Sequence, residues 1–154
     1  MSNVTELRIS SLDTLAPIVE SLAKLALDEA NDLGYQVKPF ETYRSPSRQN
    51  TLYAQGRTAA GKIVTKAKAW QSFHQYGSAI DVVFFIDGRW SWDEHLPWDK
   101  LAHVFENYNF TTLDFEKPHF ELTGGYSWQQ AYNLVKKGGM DAWYDALLKR
   151  YSFL

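Results

Sequence analysis

The stretch "AIDVVFFI" (79–86) constrains this chain most, because it sets an acid inside an apolar run. Ile80, Val82, Val83, Phe84, Phe85 and Ile86 read as a buried strand, and Asp87-Gly88 supplies a turn after it. Asp81 interrupts that strand. A carboxylate withdrawn from water needs a cation or several hydrogen-bond donors. A structural ion pair or backbone amides would satisfy it as well as a functional partner would.

The flanking segments predict a mixed chain. Residues 11–33 carry helical spacing at Leu12, Leu15, Ile18, Val19, Leu22, Leu25 and Ala26, with Ser11 or Asp13 as cap and Gly34 as stop. Residues 35–44 read as extended, with Pro39 marking an edge or a bend. Residues 45–56 read as a short helix, with Ser45 as cap, Pro46 in its first position and Gly56 after its end. Residues 57–72 are polar and loop-like. A short strand is expected at 89–92, a helix at 96–108, and strands at 110–113 and 119–122. Two closing helices, 127–137 and 140–151, are split by Gly138-Gly139. The sum is an α+β chain with one sheet and several helices.

Composition narrows the chemistry. The 154 residues are 45% apolar, which suits one domain, 1–154, with a proper core. Sixteen basic against eighteen acidic residues leave no electrostatic footprint for nucleic acid. There is no cysteine, so disulfides and thiolate metal sites are excluded. A metal must therefore be held by carboxylates or by His74, His95, His103 and His119. The amino terminus is polar without a basic-then-apolar leader, and no apolar run spans a bilayer. These features predict a product made in the cytoplasm, without stable membrane insertion.

Strand parity then tests which residues can meet. His74 and Asp81 are seven apart, so a continuous strand would separate them. Gly77 allows the loop "HQYGS" to fold His74 back over the strand mouth, and Ser78 and Ala79 leave room for it. In "DFEKPHFEL" (114–122), Glu116 and His119 would also face opposite ways on a regular strand. A bend at Lys117-Pro118 would bring both to one site. Two histidines and one aspartate make a three-ligand set for a catalytic zinc, with one position left for water. That donor mix suits zinc better than magnesium or calcium. A further carboxylate, Glu116, is what such a hydrolase needs as general base. His95 and His103 have no spaced ligand beside them and read as ordinary histidines.

"SFHQYGSAID" resembles the S-x-H-x-x-G-x-A-x-D signature of zinc peptidases that cut peptidoglycan stem peptides. Ser72, His74, Gly77, Ala79 and Asp81 fill all five positions. "EKPH" is similar to the family's second motif, acid-x-x-His. The segment "YRSPSRQNTLYAQGRTAAGKIVTKAKAW" resembles its upstream region through Arg44, Ser45, Gln49, Leu52, Tyr53, Gly56, Arg57 and Thr58. The family includes D-alanyl-D-alanine carboxypeptidases and L-alanyl-D-glutamate endopeptidases of phages and bacilli. The resemblance runs from about Tyr43 to Leu122.

The resemblance implies a small α+β fold shared with the Hedgehog signalling domain, with a mainly antiparallel sheet and flanking helices. It implies one zinc ion on His74, Asp81 and His119, and Glu116 as catalytic base, with Asp114 as its rival. Arg44 would stabilise the oxyanion, with Arg48 and Arg57 as neighbours able to take its place. Ser72 would lie at the rim and touch substrate or a metal ligand, and Gln49 would help position substrate. The Trp-Gly-Gly-x-Trp segment of many D-alanyl-D-alanine members is missing before "EKPH". The stretch "LYAQGRT…GKIVTKA" instead resembles the L-alanyl-D-glutamate endopeptidases that phages use as endolysins. Such an enzyme lyses the host after membrane permeabilisation, and this chain would be a monomer acting on the stem peptide without a separate wall-binding domain. The alternatives are a D-alanyl-D-alanine carboxypeptidase and a non-catalytic, metal-containing peptidoglycan-binding module. The closing "MDAWYDALLKRYSFL" reads as a core-packing helix rather than a membrane contact.

Overall fold

The structure is a computed structural model, and it describes residues 7–152. The elements are α1 (Pro17–Asp32), β1 (Val37–Glu41), α2 (Pro46–Ala54), β2 (Ala79–Ile86), β3 (Arg89–Ser91), α3 (Trp98–Glu106), β4 (Thr111–Leu113), β5 (Glu116–Glu121) and α4 (Trp128–Arg150). Short 3-10 turns cover Leu12–Thr14 and Phe73–Tyr76.

The first helix starts later than the expected 11–33. Proline disfavours helical backbone in the residue before it, and Ala16 is extended at ψ 142°. Pro17 then takes the first helical position, where its missing N–H costs nothing. Ser11 and Asp13 therefore do not cap α1. The short second helix matches expectation: Ser45 accepts from the Arg48 amide, and Pro46 follows it. The closing pair is as expected: α4 consists of two helical halves separated by non-helical backbone at Gly139 (φ 75°, ψ −173°).

The sheet runs β1-β2-β5-β4, with every pair antiparallel. Pro39 lies on the edge strand β1, as its missing donor requires. Along its other side, β2 pairs with β5 at Ala79–Asp81 and with β3 at Phe84–Ile86. Alternation then divides β2. Ile80, Val82 and Phe84 enter a core with Val19, Ala23 and Ala26 of α1 and Leu101 and Phe105 of α3. Asp81 points to the opposite face. One face of the sheet is thus covered by helices, and the other carries the polar site.

The turn at 73–76 is held from behind. Trp143 of α4 is fully buried and donates its indole N–H to the Tyr76 carbonyl at 2.9 Å. Its ring meets those of Tyr76 and Phe73 at 5.8 and 6.2 Å. Gly77 closes the turn in the left-handed region (φ 63°), and its carbonyl accepts from the Ala16 amide at 2.9 Å. A Cβ on Gly77 would lie 2.9 Å from that backbone nitrogen, which has no room to yield. Gly77→Ala is expected to cost about 2 kcal/mol from backbone strain and clash, measured by urea unfolding.

Candidate active site

Register places three charged side chains in a row across the sheet. Glu41 of β1 is opposite Asp81 of β2, and Asp81 is opposite His119 of β5. Opposed residues share a face. His74 joins them from the 3-10 turn, because the left-handed Gly77 reverses the chain between it and β2. His74 Nε2 lies 3.2 Å from Asp81 Oδ1, and His119 Nδ1 lies 3.0 Å from the same oxygen. One donor atom from each of His74, Asp81 and His119 fits within 4.8 Å of the others.

Glu116 reaches the site through an irregularity in β5. Thr112 pairs with Phe120 but Leu113 pairs with Glu116, so residues 117–119 bulge against a single step of β4. The bulge overrides strand parity and sets Glu116 Oε2 3.7 Å from His119 Nδ1. Glu116 remains 32% exposed and lines the cavity, whereas Asp114 is exposed and lies outside its wall. β5 accordingly begins at Glu116, three residues before the expected strand at 119–122.

Outer partners fix both imidazoles. His74 Nδ1 lies 2.7 Å from the Thr42 carbonyl, which only a donating N–H can use, so Nε2 is left for the site. His119 Nε2 lies 2.7 Å from Glu121 Oε1, leaving Nδ1 for the site. Burial alone would raise the Asp81 carboxyl. The field of His74 and the hydrogen bonds of His119 and His74 outweigh it and hold Asp81 well below the usual carboxylate range. Burial alone would likewise lower His119, but its hydrogen bonds to Asp81 and Glu121 push it up to about 10. Two imidazole nitrogens and a carboxylate, each oriented by a second partner, are a donor set that fits a divalent metal once His119 gives up its proton.

On the other flank of Asp81 sits a clamp of two arginines on one carboxylate. Glu41 is 2% exposed, with Oε2 2.6 Å from Arg44 Nη2 and Oε1 2.6 Å from Arg48 Nε. Burial alone would raise Glu41, but hydrogen bonds from Arg44 and Arg48 lower it overall. Arg44 Nη2 also lies 3.4 Å from Asp81 Oδ2, and its Nη1 donates to Gln49 Oε1 at 3.1 Å. Arg44 and Arg48 both line the cavity. Arg57 stacks on Tyr53 at 3.9 Å, away from it.

Ser72 lines the cavity and caps the His74 turn, accepting from the His74 amide at 3.2 Å. Gln49 is fully buried and is not part of the cavity wall. Its amide accepts from Arg44 and Gln75 and donates to the Ala67 carbonyl, so direct contact with substrate gives way to a supporting position behind Arg44. His95 and His103 are exposed beside Glu94 and Glu106 and take no part. The sequence reading missed Glu41 and Glu121. Their signals were a glutamate three residues before Arg44 and a same-face spacing of two after His119. The cavity that joins these groups measures about 810 Å³.

A mainly antiparallel sheet with a buried His–Asp–His cluster, a nearby carboxylate and a clamped arginine defines a metallopeptidase-type centre. The chain belongs to the VanY family of D-alanyl-D-alanine carboxypeptidases, whose model matches residues 13–130. Peptidases of this family are metal-dependent. The peptidoglycan L-alanyl-D-glutamate endopeptidase CwlK of Bacillus subtilis is 42% identical over 80 residues, covering 51% of this chain and 48% of its own length. The chain thus spans about half of that relative. The L-Ala D-Glu endopeptidase ChiX of Serratia marcescens shares the fold at TM-score 0.53 and 20% identity, over 79% of this chain and 94% of that one. The LD-carboxypeptidase LdcB shares it at 0.56 and 18% identity, over 85% and 68%.

The raised His119 has a sign that can be checked in chelated protein. Its contribution to stability is full below its unfolded value near 6.5 and is lost as pH rises through about 10. The melting temperature of the metal-free protein is expected to fall across that window. Metal uptake at pH 7 should release close to one proton, because the ion displaces it from His119. Titration calorimetry in two buffers of different ionisation enthalpy measures that release. The clamp gives a second test. Glu41→Gln leaves two arginines with no carboxylate between them and is expected to cost about 3 kcal/mol in denaturant unfolding.

Proposed function

We propose that the chain is a zinc-dependent peptidoglycan endopeptidase that cleaves the bond between L-alanine and D-glutamate of stem peptides. The observation that carries this reading is the convergence of His74, Asp81, His119, Glu116 and Arg44 on one cavity wall. The 42% identity to an L-alanyl-D-glutamate endopeptidase supports the choice of bond. Zinc on His74, Asp81 and His119 would supply a Lewis acid that polarises the scissile carbonyl and acidifies water.

The residues then divide the work. Glu116, partly exposed at the cavity wall, accepts the proton of the attacking water and returns it to the leaving amine. Arg44 offers a guanidinium already held by Glu41 and Gln49, so little reorganisation is needed as negative charge develops on the carbonyl oxygen. Ser72 holds the His74 turn at the rim and Gln49 braces Arg44 from behind.

The family's own description supplies the second reading, a D-alanyl-D-alanine carboxypeptidase. A non-catalytic binding module would have no need of Glu116 beside His119. We propose further that the enzyme acts as a phage endolysin, a reading supported by the resemblance of "LYAQGRT…GKIVTKA". It would then lyse cells with permeabilised membranes and spare intact ones, as a turbidity assay would show.

Muropeptide analysis decides the bond. New amino-terminal D-glutamate is the expected product, and release of D-alanine alone would exclude the leading reading. Glu116→Ala is expected to lower kcat by about 10²- to 10⁴-fold with metal retained. Near wild-type hydrolysis of purified sacculi by that variant would remove Glu116 from the role of base.

A further inference from the structure

An aromatic ledge on the same face of the sheet as Asp81 has no part in the chemistry above. Trp90 and Trp92 are 51% and 45% exposed. The Phe40 ring locks them edge-on, at 5.3 Å from Trp90 and 4.8 Å from Trp92. Phe40 is the extra residue of a bulge, since Pro39 pairs with Val82 while Glu41 pairs with the adjacent Asp81. Bulges re-aim side chains, and this one leaves Phe40 and Glu41 both on the cavity wall. Arg8 donates to the Phe40 carbonyl and lies 4.0 Å over the Phe40 ring and 4.9 Å over Trp90. Two tryptophans held rigid and left in water suggest a ligand.

We propose that this ledge is a glycan subsite, binding the pyranose rings of the polysaccharide that carries the scissile peptide. The inference rests on the proposed L-alanyl-D-glutamate cleavage. Two observations choose a sugar as occupant. The ledge is continuous with the catalytic cavity, because Phe40 and Trp92 line it together with Asp81 and His119. The reach also matches. L-alanine is joined through one lactyl group to the muramic acid ring, so the ring begins about 7 Å from the scissile carbonyl by extended-chain dimensions. β3 ends at Ser91, which pairs with Phe84, three residues or about 10 Å along the strand from Asp81, and Trp92, next in the chain, lines the cavity with that acid. Flat aromatic faces stack on the C–H faces of pyranoses, and Arg8, lying over the ledge, offers a donor for hydroxyls. A D-alanyl-D-alanine bond lies several residues farther from the sugar and would gain nothing from the ledge.

The test compares two substrates of the metal-loaded enzyme: a disaccharide-tripeptide and the same tripeptide without sugar. The wild type should prefer the first in kcat/KM. Trp92→Ala should shrink that preference by about tenfold, and the more exposed Trp90→Ala should shrink it in the same direction. Amidase-stripped glycan tetrasaccharide, titrated against tryptophan fluorescence, should bind the wild type and lose affinity in both variants. If cleavage falls at another bond, the proposed reaction fails while this titration still decides the ledge. An unchanged preference in both variants, no tetrasaccharide binding, or binding of anionic vesicles in its place would overturn the proposal.

Discussion

Everything in the site depends on one carboxylate held in the middle of a sheet. Asp81 is central in β2, opposite Glu41 on one side and His119 on the other. Its neighbours Ile80 and Val82 are buried in the core, so its Cα cannot drift. A charge in that place is tolerable only because two imidazoles and a guanidinium converge on it. Those same groups are the ones that can hold a metal and meet a developing oxyanion. The burial penalty and the chemistry have one solution.

Rigidity comes from outside the site. Trp143 and Tyr76 pack behind the turn that carries His74, and Gly77 ties that turn to the start of α1. Thr42 and Glu121 orient the two imidazoles. Glu41 binds two arginines at once, so the clamp stays fixed although Arg44 has an acid on either side. Each of these contacts is long-range in sequence or lies just outside a motif. None touches the reacting atoms. Together they hold His74, Asp81, His119 and Arg44 in place, which is how a small domain preorganises charge.

Family membership and bond choice rest on different kinds of observation. The match over residues 13–130 covers most of the fold and establishes membership of the VanY family. Which bond is cut depends on the walls around the metal site, and there this chain presents an aromatic ledge on one flank and the loop 57–72 on another. The cavity is large enough for a branched substrate, at about 810 Å³.

The sequence by itself determined the central strand to the residue, the capped second helix, the glycine break in α4 and the grouping of His74, Asp81 and His119. Those are local matters: apolar runs, a Ser-Pro start, a left-handed glycine and the fixed spacing of His, Asp and an acid-x-x-His motif. It misplaced the start of the first helix, because Ala16 answers to Pro17 rather than to helical periodicity. Tertiary packing buries Gln49 behind Arg44, so it can help position substrate only through that arginine. Only the tertiary structure decided that Glu41 belongs to the site, because it meets Asp81 by cross-strand register and Arg48 from a neighbouring helix, whereas Glu121 meets His119 two residues away on the same strand. The bend expected at Lys117-Pro118 proved to be a bulge in β5, which carries Glu116 past strand parity to His119. Spacing along a chain names which groups can ligate; register, bulges and burial decide which of them meet, and what holds them there.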